Sequence, residues 1–360
     1  MFTALSLALS SSVAKAPGAL RPWFSHGTSL TRDRALLHPL NDCLKRGVFI
    51  PVTSSVKSFT NAGRSLIALT HANLPEGHLD RAEWVWIGRR SSCGTDVFAV
   101  AMEEPEVRAA LARAPPASGA ADAMRCDGLR DVADTIECAD EAAILSSARG
   151  FMHFHATNRF CARCGTPTAP TKAGAARLCT NAACAHKVYP RVDPAAIVLV
   201  TSPRSVDGGR HALLGRKKIW PRGRFSTLAG FADLGETIEE ALCREVHEES
   251  GVTVRPSSLR FACSQPWLFP QSMMLGFIAE AEPSAADPRA LPRVSVDEHE
   301  LEACEWFDRD FVRARLDIGA VSLTADTSGT AAADFHVPGR VSLANVLITH
   351  WATSQCDSAQ

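Results

Sequence analysis

Residues 230–252 read GFADLGETIEEALCREVHEESGV. Thr237 followed three residues later by Glu240 forms a capping box, and Gly251 after Ser250 supplies a left-handed stop, so the spacing predicts a helix from about Ile238 to Ser250. At roughly 100° per residue, Ile238, Leu242, Glu245 and Glu249 share one face, with Glu248 about 60° to its side. The acids therefore continue the stripe that the first half of the helix gives to a core. A solvated charge run would set its carboxylates opposite that stripe, yet Glu245, Glu248 and Glu249 converge beside it with no lysine at matching spacing. Like charges that close repel. Holding them ionised together calls for a cation, and hard oxygen ligands favour Mg²⁺ or Mn²⁺ over zinc. The competing reading is an acidic surface helix.

Gly230, Glu236, Arg244, Glu245, Val246, Glu248, Glu249, Gly251 and Val252 match the Nudix box, G-x5-E-x7-R-E-U-x-E-E-x-G-U, at every fixed position, so the stretch resembles the Nudix hydrolases. That resemblance implies an α+β fold, an α/β/α sandwich around a mixed sheet, and metal-assisted attack of water on a nucleoside diphosphate linked to another group. It assigns Glu245, Glu248 and Glu249 to two or three catalytic ions. The loop 228–235 is expected to bend around the metal, with Ala229 offering a backbone carbonyl. Arg244 is expected to orient the carboxylates through bidentate pairing.

About a dozen residues further on, 264–272 read SQPWLFPQS. Two prolines and two aromatics make a stiff, flat wall, suited either to stacking a base or nicotinamide ring or to a proline-rich turn that packs its tryptophan into a core. The stretch resembles the SQPWPFPxS signature of the NADH pyrophosphatase branch, with Leu268 where proline is usual. By that resemblance Gln265, Pro266, Trp267, Leu268, Phe269, Pro270, Gln271 and Ser272 line the substrate site.

Upstream, Cys161 and Cys164 precede Gly165, and Cys179 and Cys184 follow. Two cysteine pairs at this spacing read as a tetrahedral Cys₄ zinc ribbon, a closed site that holds structure rather than doing chemistry; disulfides or unlinked thiols are the alternatives. His155 and His186 are expected to support the site or lie at the surface. The ribbon runs into Tyr189-Pro190-Arg191-Val192-Asp193-Pro194 and then an apolar strand, 195–201. The same order of zinc ribbon, YPRxDP, Nudix box and SQPW motif is found in the NADH pyrophosphatases.

The resemblance carries further residues with it. Tyr189, the one tyrosine of the chain, and Phe231 are expected to sandwich the substrate ring, against plain readings as an amphipathic edge and a core residue. Glu300 is the expected extra carboxylate, with Glu302 and Glu305 as rivals. Ala344, in the helical pattern 341–351, is expected to border the substrate. The implied activity is hydrolysis of NADH or NAD⁺ to NMNH or NMN and AMP, with removal of NAD caps from RNA as a second activity or, in the alternative reading, as the main one. A noncatalytic NAD(H)-binding module is the reading from another class, and homodimerisation is implied by the resemblance alone.

The chain has 360 residues, 46% of them hydrophobic, enough for two or more full cores. A net charge of −1 leaves no general field for nucleic acid, so a ligand must be recognised by a pocket. The expected layout is a leader at 1–21, a mixed α/β domain at 22–148, the zinc ribbon at 155–190, the Nudix domain at 191–351 and a tail at 352–360. Strand-like runs at 84–88 and 96–101 belong to the mixed domain, where His71 and His78 are expected at the surface and 109–123 as a loop or frayed helix. The first 32 residues lack Asp and Glu, a pattern compatible with mitochondrial targeting or with a leader of no targeting role. No apolar run approaches the roughly 18 residues needed to span a membrane, and the C-terminus is not of the SKL type.

Overall fold

The computed structural model describes residues 30–113, 123–316 and 334–354; the expected leader and most of the expected tail lie outside them. The described residues fall into two compact units. One runs to Val192 and takes in Leu268–Gln271; the other holds Asp193–Trp267 and the chain from Ser272 on. No helix in either is long and apolar enough to cross a membrane.

In the first unit, β1 (Leu30–Thr31), β2 (Val48–Val52), β3 (Ser58–Asn61), β4 (Ser65–Leu66), β5 (Leu69–Thr70), β6 (Trp84–Arg90), β7 (Asp96–Ala101) and β8 (Met124–Asp127) form one mixed sheet. Here β2 and β7 run parallel, and β6 pairs antiparallel with β7. Near-continuous apolar runs fit strands buried on both faces: Phe49, Trp86 and Phe98 are fully buried, and α1 (Ala139–Thr157) packs on β2, β6 and β7. His78 is buried too, contrary to expectation, with Nε2 at 3.1 Å from the Ala101 carbonyl. Of the proline and alanine stretch, residues to Arg113 end a helix that begins at Glu104, and 114–122 lie outside the described residues.

The ribbon belongs to this unit as a small antiparallel sheet of β9 (Thr168–Thr171), β10 (Ala176–Cys179) and β11 (Lys187–Val188). Between β9 and β10 the backbone turns left-handed at Lys172, Ala173 and Gly174. There the Ala173 carbonyl accepts from the Trp86 amide at 3.0 Å. A Cβ on Gly174 would stand 2.5 Å from the Trp84 carbonyl oxygen, so only glycine permits this approach. Beneath it lies Arg177, 3% exposed. Its guanidinium donates to Glu83, to the Thr168 carbonyl at 2.9 Å and to His155 Nδ1 at 2.8 Å. His155 Nε2 meets the Gly174 carbonyl at 2.9 Å. With Nδ1 accepting and Nε2 donating, this histidine is neutral, and burial lowers its pKa accordingly. His155 is therefore a wholly buried part of the joint between ribbon and sheet, where a supporting or surface residue of the zinc site was expected.

In the second unit, β12 (Asp193–Thr201) lies at the middle of a six-stranded mixed sheet with β13 (His211–Arg216), β14 (Leu228–Phe231), β15 (Arg260–Trp267), β16 (Ser272–Glu280) and β17 (Ala303–Asp308). It runs parallel to β16 and antiparallel to β13 and β14. Because successive strand residues face opposite ways, Ala196, Val198 and Val200 feed one core and Ile197 and Leu199 the other. The first core is covered by Leu242 and Val246 of α2 (Ile238–Ser250). Beyond α3 (Arg309–Leu316), Leu343, Leu347, Ile348 and Trp351 of α4 (Leu343–Thr353) cover the second. Two helical layers around a mixed sheet are the expected sandwich.

Arg177→Met should lower the thermal midpoint of the full chain, since removing one partner of a buried charge pair costs on the order of 3 kcal/mol. Calorimetric melting checks it; an unchanged midpoint would remove Arg177 from the joint.

Candidate functional site

Helix α2 spans the residues its capping grammar predicts. Thr237 Oγ1 accepts from the Glu240 amide at 3.2 Å, the Glu240 carboxylate accepts from the Thr237 amide at 2.8 Å, and Gly251 closes the helix at φ 69°. Arg244, in its second turn, gathers the acids. It grips Glu236 with two bonds, Nε to Oε1 at 2.7 Å and Nη2 to Oε2 at 2.9 Å. Nη1 reaches Glu245 at 3.0 Å and Glu248 at 2.9 Å, and Nη2 also donates to the Phe231 carbonyl at 3.0 Å. This pairing with Arg244 takes the Glu236 carboxyl down to about 2. The bidentate grip thus falls on Glu236, tying the turn before the helix to the helix itself, while Glu245 and Glu248 take one bond each.

Glu245 lies against β14. A Cβ on Gly230 would stand 1.8 Å from its carboxyl carbon, so the glycine that opens the box is bare backbone on which the carboxylate rests. One oxygen each from Glu245, Glu249 and Glu300 lies within 4.8 Å of the others. Glu300 is thereby separated from its rivals, since Glu302 pairs with Arg216 at 2.9 Å and Glu305 is exposed on β17. Glu248 stands outside this trio, 57% exposed and bonded to Arg244, so the three box acids do not converge on one point as expected.

Glu249 is 2% exposed, and its Oε2 has no hydrogen-bond partner among the described residues. Burial first, then the nearby Glu245 and Glu300 charges, raise its pKa to about 7; opposing them are Lys217 and a backbone hydrogen bond from Ala229. Through that bond the Ala229 amide meets the cluster. Three close carboxylates, one with a buried oxygen left over, fit a hard divalent cation. Lys217 Nζ, 3.9 Å from Glu249 Oε1, was missed in the sequence; it stands 32 residues away, and no local pattern joins the two.

The four cysteines also come together. Cys161 and Cys184 Sγ are 3.8 Å apart, and Cys164 and Cys179 Sγ 3.5 Å apart. Thiolates around a tetrahedral zinc at about 2.3 Å stand about 3.8 Å from one another, whereas a disulfide needs about 2.05 Å. The spacing therefore fits zinc. Gly165 takes φ 71° in the first knuckle, with its amide donating to the Cys161 carbonyl at 2.9 Å. His186 is half-buried, and its carbonyl accepts from the Cys179 amide at 2.9 Å.

The substrate-binding expectations divide. Tyr189 is 51% exposed in the first unit, its hydroxyl 3.2 Å from Lys172 Nζ, and Phe231 is 57% exposed in the second. Gln265 is fully buried: its Nε2 donates to the Val341 carbonyl at 2.8 Å and its Oε1 accepts from the Leu343 amide at 2.9 Å. It holds the start of α4 instead of lying in a flat exposed wall. Ala344 is buried in the core under α4, and Ser272 is buried where β16 begins. Pro266 and Trp267 are half-buried at the end of β15, while Pro270 is exposed and Gln271 half-buried. Leu268 packs on α1, where a Cβ at Gly150 would stand 2.7 Å from its Cδ1, and Arg149 and Arg130 lie over the Phe269 ring at 5.0 and 5.4 Å. The departure from proline at 268 thus places a leucine side chain over a glycine.

Gly230→Ala should push the Glu245 carboxylate from its seat and lower kcat by about 10²-fold with the fold intact, the scale of a misplacement near 1 Å; circular dichroism and steady-state rates check both halves. Cys179→Ser should release zinc, read by metal analysis, and lower the melting temperature, because a structural zinc site contributes folding energy.

Residues 192–326 match the NUDIX domain, and residues 156–189 match the NADH pyrophosphatase zinc ribbon domain. Over 273 residues the chain is 36% identical to the NAD-capped RNA hydrolase NudC of Mycobacterium bovis, covering 76% of each chain. The protein of that name from Mycobacterium tuberculosis is similar at the same identity and coverage. The human NAD-capped RNA hydrolase NUDT12 is 38% identical over 217 residues, 59% of this chain and 42% of that one. With both domains in order and three quarters of a relative spanned at this identity, the chain belongs to the Nudix hydrolases that carry an NADH pyrophosphatase zinc ribbon.

Proposed function

We propose that this Nudix hydrolase cleaves the diphosphate of NADH and NAD⁺, giving NMNH or NMN and AMP, and that it removes the same group from the 5′ end of NAD-capped RNA. The observation that carries the hydrolytic reading is the trio Glu245, Glu249 and Glu300 with the partnerless buried oxygen of Glu249. A pure binding module would have no use for carboxylates packed against their own repulsion. The substrate class is supported by SQPWLFPQS and by the names of the relatives, which speak of NAD-capped RNA.

Glu245, Glu249 and Glu300 would hold the divalent cation, magnesium or manganese and two or three ions, which supplies charge neutralisation of the diphosphate and a lowered pKa for the attacking water. The residues of the chain do the rest. Arg244 fixes Glu245 and Glu248 in place and ties them to Glu236. Gly230 keeps the backbone clear for the Glu245 carboxylate. Water adds to phosphorus, the bridging oxygen leaves with one mononucleotide, and a carboxylate of the cluster accepts the proton. Glu248, exposed and bonded to Arg244, meets solvent outside the trio. Phe231, Pro266 and Trp267 would face the ring of the nicotinamide or adenine half. A homodimer is part of this proposal.

The test is chromatographic product analysis after incubating the purified chain with NADH, NAD⁺, ADP-ribose and Ap₄A, each with Mg²⁺ or Mn²⁺. Preferential release of NMNH or NMN with AMP is the expected result; preference for ADP-ribose or Ap₄A would overturn the substrate assignment. Glu249→Gln should lower turnover by at least about 10²-fold without unfolding, because it removes a metal ligand while keeping the shape; retained activity with unaltered Mg²⁺ dependence would refute the trio.

A further inference from the structure

The carboxylates of the acid trio are unevenly answered by cations. Glu245, Glu249 and Glu300 bring one oxygen each within 4.8 Å of the others, and Arg244 divides its guanidinium among Glu236, Glu245, Glu248 and the Phe231 carbonyl. Arg216, at the end of β13, is taken up by Glu302 at 2.9 Å. Its neighbour Lys217 is placed differently. The Trp220 amide donates to the Lys217 carbonyl at 2.9 Å, which makes a turn just past the strand, and Gly215 and Ser226 exchange backbone hydrogen bonds at 2.9 Å to pin the two ends of the loop. From this turn the half-buried side chain brings Nζ to 3.9 Å from Glu249 Oε1. That is an ion pair, but it is too long for a hydrogen bond. The ammonium thus stands beside the most buried acid of the trio with its donors unspent on the described residues.

We infer that Lys217 contacts the substrate in the cleavage reaction, donating to a non-bridging oxygen of the diphosphate beside Glu249; the inference rests on the hydrolytic reading above and deepens it. Toward bare carboxylates Lys217 is a counter-charge. Toward carboxylates that hold a divalent ion it is a like charge, so a lysine at this point weakens the hold of the trio on its metal. The repulsion is relieved only when an anion joins the two cations, and the diphosphate is that anion. A phosphate oxygen that shares the ion with Glu249 lies within one ligand's breadth of the carboxylate that Lys217 already meets. As water adds to phosphorus, charge shifts onto the phosphate oxygens and the leaving group, and a donor fixed beside them stabilises the transition state more than the ground state. Lysine serves there as a point charge, with no need of the two-pronged geometry that Arg244 uses. The same side chain therefore couples two ligands: metal alone is held loosely, and metal with diphosphate is held together.

The experiment compares the full chain with Lys217→Gln, Lys217→Arg and Lys218→Gln, the last altering an exposed neighbour. Mn²⁺ affinity is measured without substrate by electron paramagnetic resonance, and kcat and KM are measured on NADH, NAD⁺ and ADP-ribose. Lys217→Gln should bind Mn²⁺ at least about 3-fold more tightly, because a like charge a few ångströms away is gone. It should nonetheless turn over at least about 10-fold more slowly, the scale of one lost hydrogen bond between charged groups. The two changes have opposite signs, whereas loss of a side chain that only shaped the cluster would weaken metal binding and rate alike. Lys217→Arg should keep most of the rate together with the looser metal binding, and Lys218→Gln should change neither quantity. Weaker Mn²⁺ binding by Lys217→Gln, an unaltered rate, or an equal effect of Lys218→Gln overturns the assignment. Should the parent chain prefer ADP-ribose, only the choice of substrate falls, and the opposite signs are read on that diphosphate. A parent chain that cleaves none of the three overturns the hydrolytic reading itself and this inference with it.

Discussion

Four oxygen-bearing groups converge on the guanidinium of Arg244: the Glu236 carboxylate in a two-point grip, Glu245, Glu248 and the carbonyl of Phe231. Through these bonds the end of β14, the turn that follows it and the middle of α2 become one piece. Lysine could not replace it, since an ammonium has no planar fork to hold Glu236 bidentately while reaching Glu245 and Glu248 from its other edge. What Arg244 does not touch is equally telling. Glu249 lies on the buried side of the helix, where Lys217 and the Ala229 amide oppose its charge. Glu236 and Glu248 are thereby neutralised, while Glu245 shares Arg244 with them and completes with Glu249 and Glu300 the trio that still calls for a cation.

A second joint sets the ribbon. The left-handed turn at 172–174 brings Gly174 against the backbone of β6, and the buried chain from Glu83 through Arg177 to His155 locks it there. A few short strands have little core of their own, and four cysteines drawn together with this ion-paired anchor substitute for one. Tyr189, at the end of the ribbon, is held by the same turn, because Lys172 lies over its ring at 5.2 Å. Whatever Tyr189 does for a ligand, its position depends on zinc and on a hairpin rather than on a hydrophobic interior.

Local grammar made much of this legible. The limits of α2 follow from Thr237, Glu240 and Gly251, and helical period alone puts Glu245 and Glu249 on one face, because both signals act within a turn or two of the residue concerned. Tertiary partners were hidden. Period set Glu248 close enough to join the trio, and only the shared Arg244 shows which way it turns. Gln265 looked like part of a ligand wall, since nothing in SQPWLFPQS tells that its amide will meet the backbone of residues 341 and 343. His155 and His78 looked peripheral because the groups that bury them, Arg177, Gly174 and Ala101, are 19 to 23 residues distant. Lys217 gave no sign for the same reason.

The alternation along β12 also bears on how the domain comes into being. Its residues 196–200 are committed alternately to two cores, so a slip by a single position would exchange these side chains between the layers at once. Its register is read against β13 and β14 on one side of the chain and, in parallel, against β16, whose Ser272 sits opposite Asp193. A strand at the start of the domain therefore awaits a partner nearly eighty residues later. Pairings of such long separation form late and slowly. During synthesis, an apolar central strand must remain unpaired on that edge until residue 280 has emerged, the interval in which it is most open to pairing with the wrong chain.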